Sequence, residues 1–148
     1  VVVGDGPERA KWSALAEQLG VPVRWLGAVF EEDQLAPWFK AAEAFVYPGA
    51  IGLSLLHAFG YGTPAIIHAN RRGHNPEAAA FSDMINGLSF KENDVASLAS
   101  SLEKVLLDSE LRTKLGTEAY RTVVTSFSIS NMVQQMQDAI SYASKAHR

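Results

Sequence analysis

Cysteine is absent from the 148 residues, which excludes a disulfide framework, a thiol nucleophile, a thiolate zinc site and an iron–sulfur cluster. The absence fits a reducing cytoplasm. No apolar run approaches the ~20 residues that span a bilayer, and the first residues lack the basic start of a signal peptide. Positive charge is not in excess either: thirteen Lys and Arg against sixteen Asp and Glu leave a formal charge of −3. Nothing resembles the basic stripe that neutralises a nucleic-acid backbone, so no nucleic-acid partner is expected. What is present, 47% hydrophobic and 20% charged residues, is the composition of a single soluble globular domain. An initiator Met is missing. The chain opens on Val1, Val2 and Val3, which read as the inside of a buried strand, and the expectation is a piece of a longer protein.

Short β-branched or aromatic runs alternate with segments whose apolar residues recur every three or four positions. That is the α/β pattern of a Rossmann-like, mostly parallel sheet flanked by helices. Strands are expected at Val1 to Val3, Val23 to Leu26, Ala44 to Tyr47, Pro64 to His68 and Gly87 to Phe90. Trp12, Leu15, Ala16 and Leu19 define a helical face that Gly20 should stop. Glu31, Glu32 and Asp33 favour a second helix start, with Pro37 in its first turn. A third helix is expected from Gly52 to Tyr61, closed by Gly62. From Asp94 the pattern turns helical: one helix capped by Asp94, a second from about Ser109 to Val124, and a third lined by Met132, Val133, Met136, Ala139 and Ile140.

Several chemical motifs fail on inspection. Gly4-Asp5-Gly6-Pro7 follows a strand, yet Arg9 occupies the place of the third dinucleotide-fingerprint glycine, and no Gly-Lys-Ser/Thr phosphate loop occurs. Gly52-Leu53-Ser54 starts like a nucleophile elbow but lacks the second glycine. His57, His68 and His74 do not share the helical spacing of zinc ligands, and His68 reads as a strand-end residue. The informative segment runs from Tyr47 to Pro64. There a strand ends at Pro48-Gly49 and a helix follows, so unpaired main-chain amides of Gly49, Ala50, Ile51, Gly52 and Leu53 face the carboxyl edge of a parallel sheet, where such folds bind ligands. Helix-start amides and the macrodipole together favour a phosphate or diphosphate. A plain crossover helix with small residues for close packing is the competing reading.

The order of these segments resembles the C-terminal, donor-binding domain of GT-B glycosyltransferases of the large retaining family 4. Its G-D-G-P-E falls at Gly4 to Glu8, its V-x-F-L-G-x-V strand at Val23 to Val29, its P-S, E-G-F-G-L and E-A motifs at Pro48 to Ala58, and its G-x-P-V at Gly62 to Ala65. P-E follows at Pro76-Glu77, N/T-G-L-x-F at Asn86 to Phe90, D-x-x-x-L-A at Asp94 to Ala99, and an aromatic-serine junction at Phe127-Ser128. The resemblance implies transfer of a sugar from a nucleotide diphosphate sugar to an acceptor glycan or lipid-linked sugar, with retention and usually without a bound metal or other cofactor. It implies a domain lacking its first strand, a basic loop and the N-terminal acceptor domain. A cytoplasmic parent, peripheral at the inner face of a membrane or paired as a homodimer, is compatible with it.

By the same resemblance Gly27, Ala28 and Val29 contact the base through their backbone, and the turn at Gly49 to Leu53 holds the diphosphate. The family's E-x7-E pair falls on Gly49 and His57, so both carboxylates are replaced. A carboxylate accepts from both ribose hydroxyls, whereas neutral imidazole accepts once and donates once. His57 is therefore the candidate catalytic or ribose-binding residue, or a cation beside phosphate. Glu77 reads as a loop-fixing carboxylate, and Trp12, Trp25 and Trp38 as core or interface aromatics. A non-catalytic binding or scaffolding module and a nucleotide-sugar epimerase are the alternatives.

Overall fold

A computed structural model describes residues 1–146 and divides the chain into two units, one spanning Val1–Ala41 and the other beginning at Ala42. In the first unit, β1 (Val2–Val3) pairs in parallel with β2 (Trp25–Gly27), each strand being followed by a helix, α1 (Arg9–Gln18) and α2 (Glu32–Ala41). Helix α1 stops as its glycine requires. Gly20 takes φ +66°, its N–H donates to the Glu17 carbonyl, and the Val21 N–H reaches back to Ala16 at 2.9 Å, which together form a Schellman closure.

Two expectations fail in this unit. Val1, Val2 and Val3 are exposed rather than buried, at 64%, 39% and 44%; β-branching favours a strand, but burial depends on neighbours, and β1 pairs with β2 alone. Pro37 lies in the second turn of α2, not the first. The missing N–H would have met the Asp33 carbonyl, and Asp33 is on the exposed side where water can serve it.

The second unit carries a parallel sheet in the order β3-β4-β5, formed by Phe45–Tyr47, Ala65–His68 and Gly87–Phe90. Helix α3 (Ser54–Gly60) connects the first two strands, and short 3-10 turns at Arg71–Gly73 and Pro76–Ala80 lead from β4 towards β5. Then come α4 (Val95–Leu107), α5 (Ser109–Ser126) and α6 (Ile129–Ala146). Asp94 and Asp108 cap α4 and α5 by accepting the amides of Ser97 and Leu111. The α/β architecture with helices flanking parallel strands is thus as the residue pattern predicts.

Strand β4 is buried along its whole length, and its residues alternate between two apolar clusters. Ala65 and Ile67 join Ile51, Leu55, Phe59, Phe81 and Ala119; Ile66 joins Leu88, Phe90, Val105 and Leu115. A strand covered on both faces needs an apolar residue at every position, which explains the continuous Ala-Ile-Ile run. The apolar residues of α6 behave differently: Met132, Met136 and Ile140 are more than half exposed. No helix among the described residues is long and apolar enough to cross a membrane.

Two glycines permit close approaches that hold this unit together. A methyl group on Gly87 would strike the Ala65 carbonyl and lie 2.7 Å from Phe81 Cε2. One on Gly116 of α5 would strike the carbonyl of Gly62, the φ +70° residue that follows α3. Gly60 has open space around the same position. Gly87→Ala and Gly116→Ala are each expected to lower unfolding stability by about 2–3 kcal/mol through overpacking, while Gly60→Ala leaves it unchanged or slightly raised. Urea denaturation of the three variants beside the parent chain checks the contrast.

Candidate functional site

The carboxyl end of β3 leads through Pro48 into the turn at Gly49 to Leu53, and this turn is where the structure concentrates its main-chain donors. Helix α3 begins at Ser54, two residues later than the apolar pattern suggests, because Leu53 is the N-cap and is already helical in φ and ψ but has no side-chain cap. The entry is tight: the Leu55 N–H bonds the Gly52 carbonyl at 3.0 Å and the His57 N–H bonds that of Leu53 at 3.1 Å. Amides of Gly52, Leu53 and Ser54 have no acceptor within the chain among the described residues. Gly49, Ala50 and Leu53 are exposed, and Gly52 and Ser54 are half-buried.

Ile51 is held differently from its neighbours. Its side chain is fully buried in the core. Its N–H donates to His74 Nδ1 at 3.2 Å, and its carbonyl accepts the Asn75 N–H at 3.0 Å. The loop after β4 thus grips this peptide on both sides. A Cβ on Gly52 would come within 3.1 Å of Asn75 Nδ2, so glycine there lets the grip close. Consequently the Ile51 amide, one of the donors expected to face a phosphate, is already engaged inside the chain, and Ile51 contributes anchoring.

His74 completes a short network. Its Nε2 lies 2.8 Å from the carbonyl of His68, and the two imidazoles stack with centroids 3.8 Å apart. Because Nδ1 must accept from Ile51, the proton resides on Nε2. His68 ends β4 as expected and is buried, with no hydrogen-bond partner for its Nδ1 among the described residues. Burial first, and then the neighbouring His74, push its pKa below the ordinary histidine value, against an opposing pull from Glu92. Spacing gave no hint of this pair. His74 is 23 residues from Ile51, and loop packing leaves no period in a sequence.

His57 lies on the last turn of α3, half-buried, its ring 5.6 Å from that of Tyr61. It follows the donor turn by one helical turn, so the structure brings His57 and Gly49 to Leu53 onto one segment. Glu77 is in the first turn of the 3-10 segment Pro76–Ala80, where a carboxylate suits a helix start, and its Oε2 is buried without a hydrogen-bond partner. Gly27, Ala28 and Val29 belong to the other unit, where Gly27 takes φ +74° and its carbonyl accepts the Gly4 N–H at 2.7 Å. Trp12 is 48% exposed beneath the Lys11 ammonium, and Trp38 is half-buried against Arg24, so neither is a core residue. No group of three metal-ligating side chains occurs among the described residues.

A cavity of about 440 Å³ lies elsewhere, lined by Glu43, Gly62, Pro64, Arg112, Gly116 and Tyr120 among others. Those residues precede β3 and β4 or belong to α5, which places the cavity at the amino edge of the sheet. Arg112 there is tied to Glu43 at 2.6 Å and to the Val105 carbonyl at 2.9 Å. Parallel α/β sheets bind at the opposite, carboxyl edge.

Comparison with known proteins gives the family and the fold. The profile of the family described as glycosyl transferases group 1 matches residues 1–122. A lipopolysaccharide core biosynthesis glycosyltransferase, LpsE of Rhizobium meliloti, is 31% identical over 130 residues, covering 86% of this chain and 37% of the relative. The chain therefore spans just over a third of that relative's length. Among solved structures, sucrose-phosphate synthase from Thermosynechococcus elongatus superposes with a TM-score of 0.79 at 23% identity, over 97% of this chain and 38% of the other. Anabaena HepE in complex with UDP superposes at 0.75 and 18% identity, over 95% and 40%. These likenesses establish a GT-B fold, and with the family match the chain belongs to the glycosyl transferases group 1 family.

Proposed function

We propose that this chain is the donor-binding part of a retaining glycosyltransferase of polysaccharide or cell-envelope glycan synthesis, and that it holds a nucleotide diphosphate sugar. The observation that carries the reading is the turn before α3, whose Gly52, Leu53 and Ser54 amides lack internal acceptors at the carboxyl edge of the sheet. Family membership and the UDP held by the similar HepE structure support it. In the first unit, the backbone of Gly27 to Val29 is our proposal for the base contact.

In this reading the anomeric C–O bond to the diphosphate breaks with its electron pair going to the leaving oxygen. A bond from the anomeric carbon to the acceptor oxygen forms on the same face, and the acceptor proton passes to the departing diphosphate oxygen. Negative charge grows on the diphosphate, so donors fixed in advance lower the barrier by meeting charge where it develops. His57 replaces the family carboxylate as a ribose ligand, accepting one hydroxyl hydrogen bond and donating another.

Calorimetric titration with UDP, GDP and ADP tests this. One of them is expected to bind; His57→Ala weakens that binding about tenfold, the scale of one lost hydrogen bond, and His57→Glu restores it by returning a ribose acceptor. Silence with all three favours a binding or scaffolding module, and interconversion of a nucleotide sugar without any acceptor favours an epimerase.

Assayed alone with donor and acceptor, the 148-residue chain is expected to bind nucleotide without sugar transfer, since an acceptor-binding domain is a separate part of the GT-B architecture. Product formation above the uncatalysed background would contradict that.

A further inference from the structure

The stacked histidines at the end of β4 have no role in the mechanism above, yet one of them touches the donor turn. His74 is half-buried, its Nδ1 receives the Ile51 N–H at 3.2 Å and its Nε2 lies 2.8 Å from the His68 carbonyl. Both ring nitrogens are thus assigned, one accepting and one donating, and only the neutral ring satisfies both. Adding a proton at Nδ1 would set two N–H groups against each other across 3.2 Å and place a cation on the face of the His68 ring.

The charged and titratable groups around this ring come from several elements. From β4 comes His68, whose pKa is lowered chiefly by burial. Beyond β5, Glu92 is the nearest carboxylate of the network, but its Oε1 is 3.9 Å from His68 Nε2 and its Oε2 accepts Asn70 Nδ2 at 2.8 Å. Arg71 and Arg72, on the 3-10 turn just before His74, are exposed cations. Glu77 belongs to the following 3-10 turn and His57 to α3; the gripped turn Gly49 to Leu53 carries no charged side chain.

We propose that His74 is a positioning residue for the donor turn: as a neutral imidazole it fixes the Ile51 peptide, from which the Gly52, Leu53 and Ser54 amides extend, and its protonation releases that peptide. The role in binding rests on the donor reading of the turn; the grip on Ile51 does not. Its pH sense follows from the chemistry. With Nδ1 unprotonated the Ile51 N–H has its acceptor, and with Nδ1 protonated that acceptor is lost.

The test uses the chain labelled with nitrogen-15, following the Ile51 amide protection factor and the His74 ring nitrogens from about pH 8 to about pH 5, the range in which histidine titrates. At the upper end Nε2 is expected to carry the proton, and Ile51 protection should fall about tenfold with the same midpoint as the His74 ring, the scale of one hydrogen bond. His74→Ala removes the protection at every pH. His74→Asn, whose Oδ1 stands where Nδ1 was, restores it and abolishes the pH dependence. A proton on Nδ1 at the upper end, or Ile51 protection indifferent to the His74 titration, would overturn the proposal, and neither measurement needs a variant that folds.

UDP binding at one pH separates the two claims. Affinity about tenfold weaker in His74→Ala and recovered in His74→Asn is expected, and equal affinity in both variants and the native chain would remove the positioning role. If none of UDP, GDP and ADP binds any form, the donor reading fails, while the Ile51 profile still decides whether His74 grips the turn.

Discussion

The peptide at Ile51 is the point where the core of the second unit and its functional edge meet. Its side chain is buried beside Leu55, Phe59 and Ile67, while its N–H and carbonyl are taken by His74 and Asn75 from the loop after β4. A strand-to-helix turn rich in glycine has a large conformational entropy to lose, since glycine has the greatest backbone freedom of any residue. One anchored residue in the middle removes much of that freedom for both flanks. The amides on either side can then stay unpaired within the chain and still have defined directions.

Local signals in the sequence predicted local structure well, and contacts between distant segments were not legible. Gly20 and Gly62 could be read as helix stops because the property used, a left-handed φ of +66° and +70°, is the residue's own. The apolar run Ala65 to Ile67 could be read as a strand, and that both its faces are covered is known only from the two clusters it joins. By contrast, the exposure of Val1 to Val3 depends on which strands stand beside them, and the grip on Ile51 depends on a loop whose residues, His74 and Asn75, have no periodic pattern. Helix α3 was placed two residues early because Gly52 and Leu53 are chemically like the start of a helix; their carbonyls serve Leu55 and His57, but the regular helical path begins only at Ser54. The candidate site was therefore legible as a segment, through the order of its motifs, and illegible as a geometry.

In the proposed reading, Gly49 and His57 stand where the family carries two carboxylates, which changes the balance of forces at this edge. A glutamate close to a diphosphate accepts ribose hydrogen bonds but also repels the phosphate charge: two unit charges 4 Å apart interact by about 4 kcal/mol at an effective dielectric of about 20. A neutral imidazole gives up one acceptor and removes that repulsion. In that reading, ribose recognition is weaker, less negative charge lies nearby, and a larger share of the proposed donor binding falls to main-chain dipoles.

Dipoles stabilise developing charge only to the extent that they are already oriented, because reorienting them during the reaction costs what the interaction would return. An edge that relies on amides rather than carboxylates therefore depends more heavily on whatever fixes those amides. In this chain that is the Ile51 peptide and the neutral His74 ring behind it. The arrangement carries a cost in the same place: stacked on His74, His68 remains buried with a depressed pKa and an Nδ1 unpartnered among the described residues, whereas buried polar atoms are generally paired in stable folds. A buried imidazole is unfavourable once charged, so this end of β4 loses stability as pH falls and His68 takes its proton.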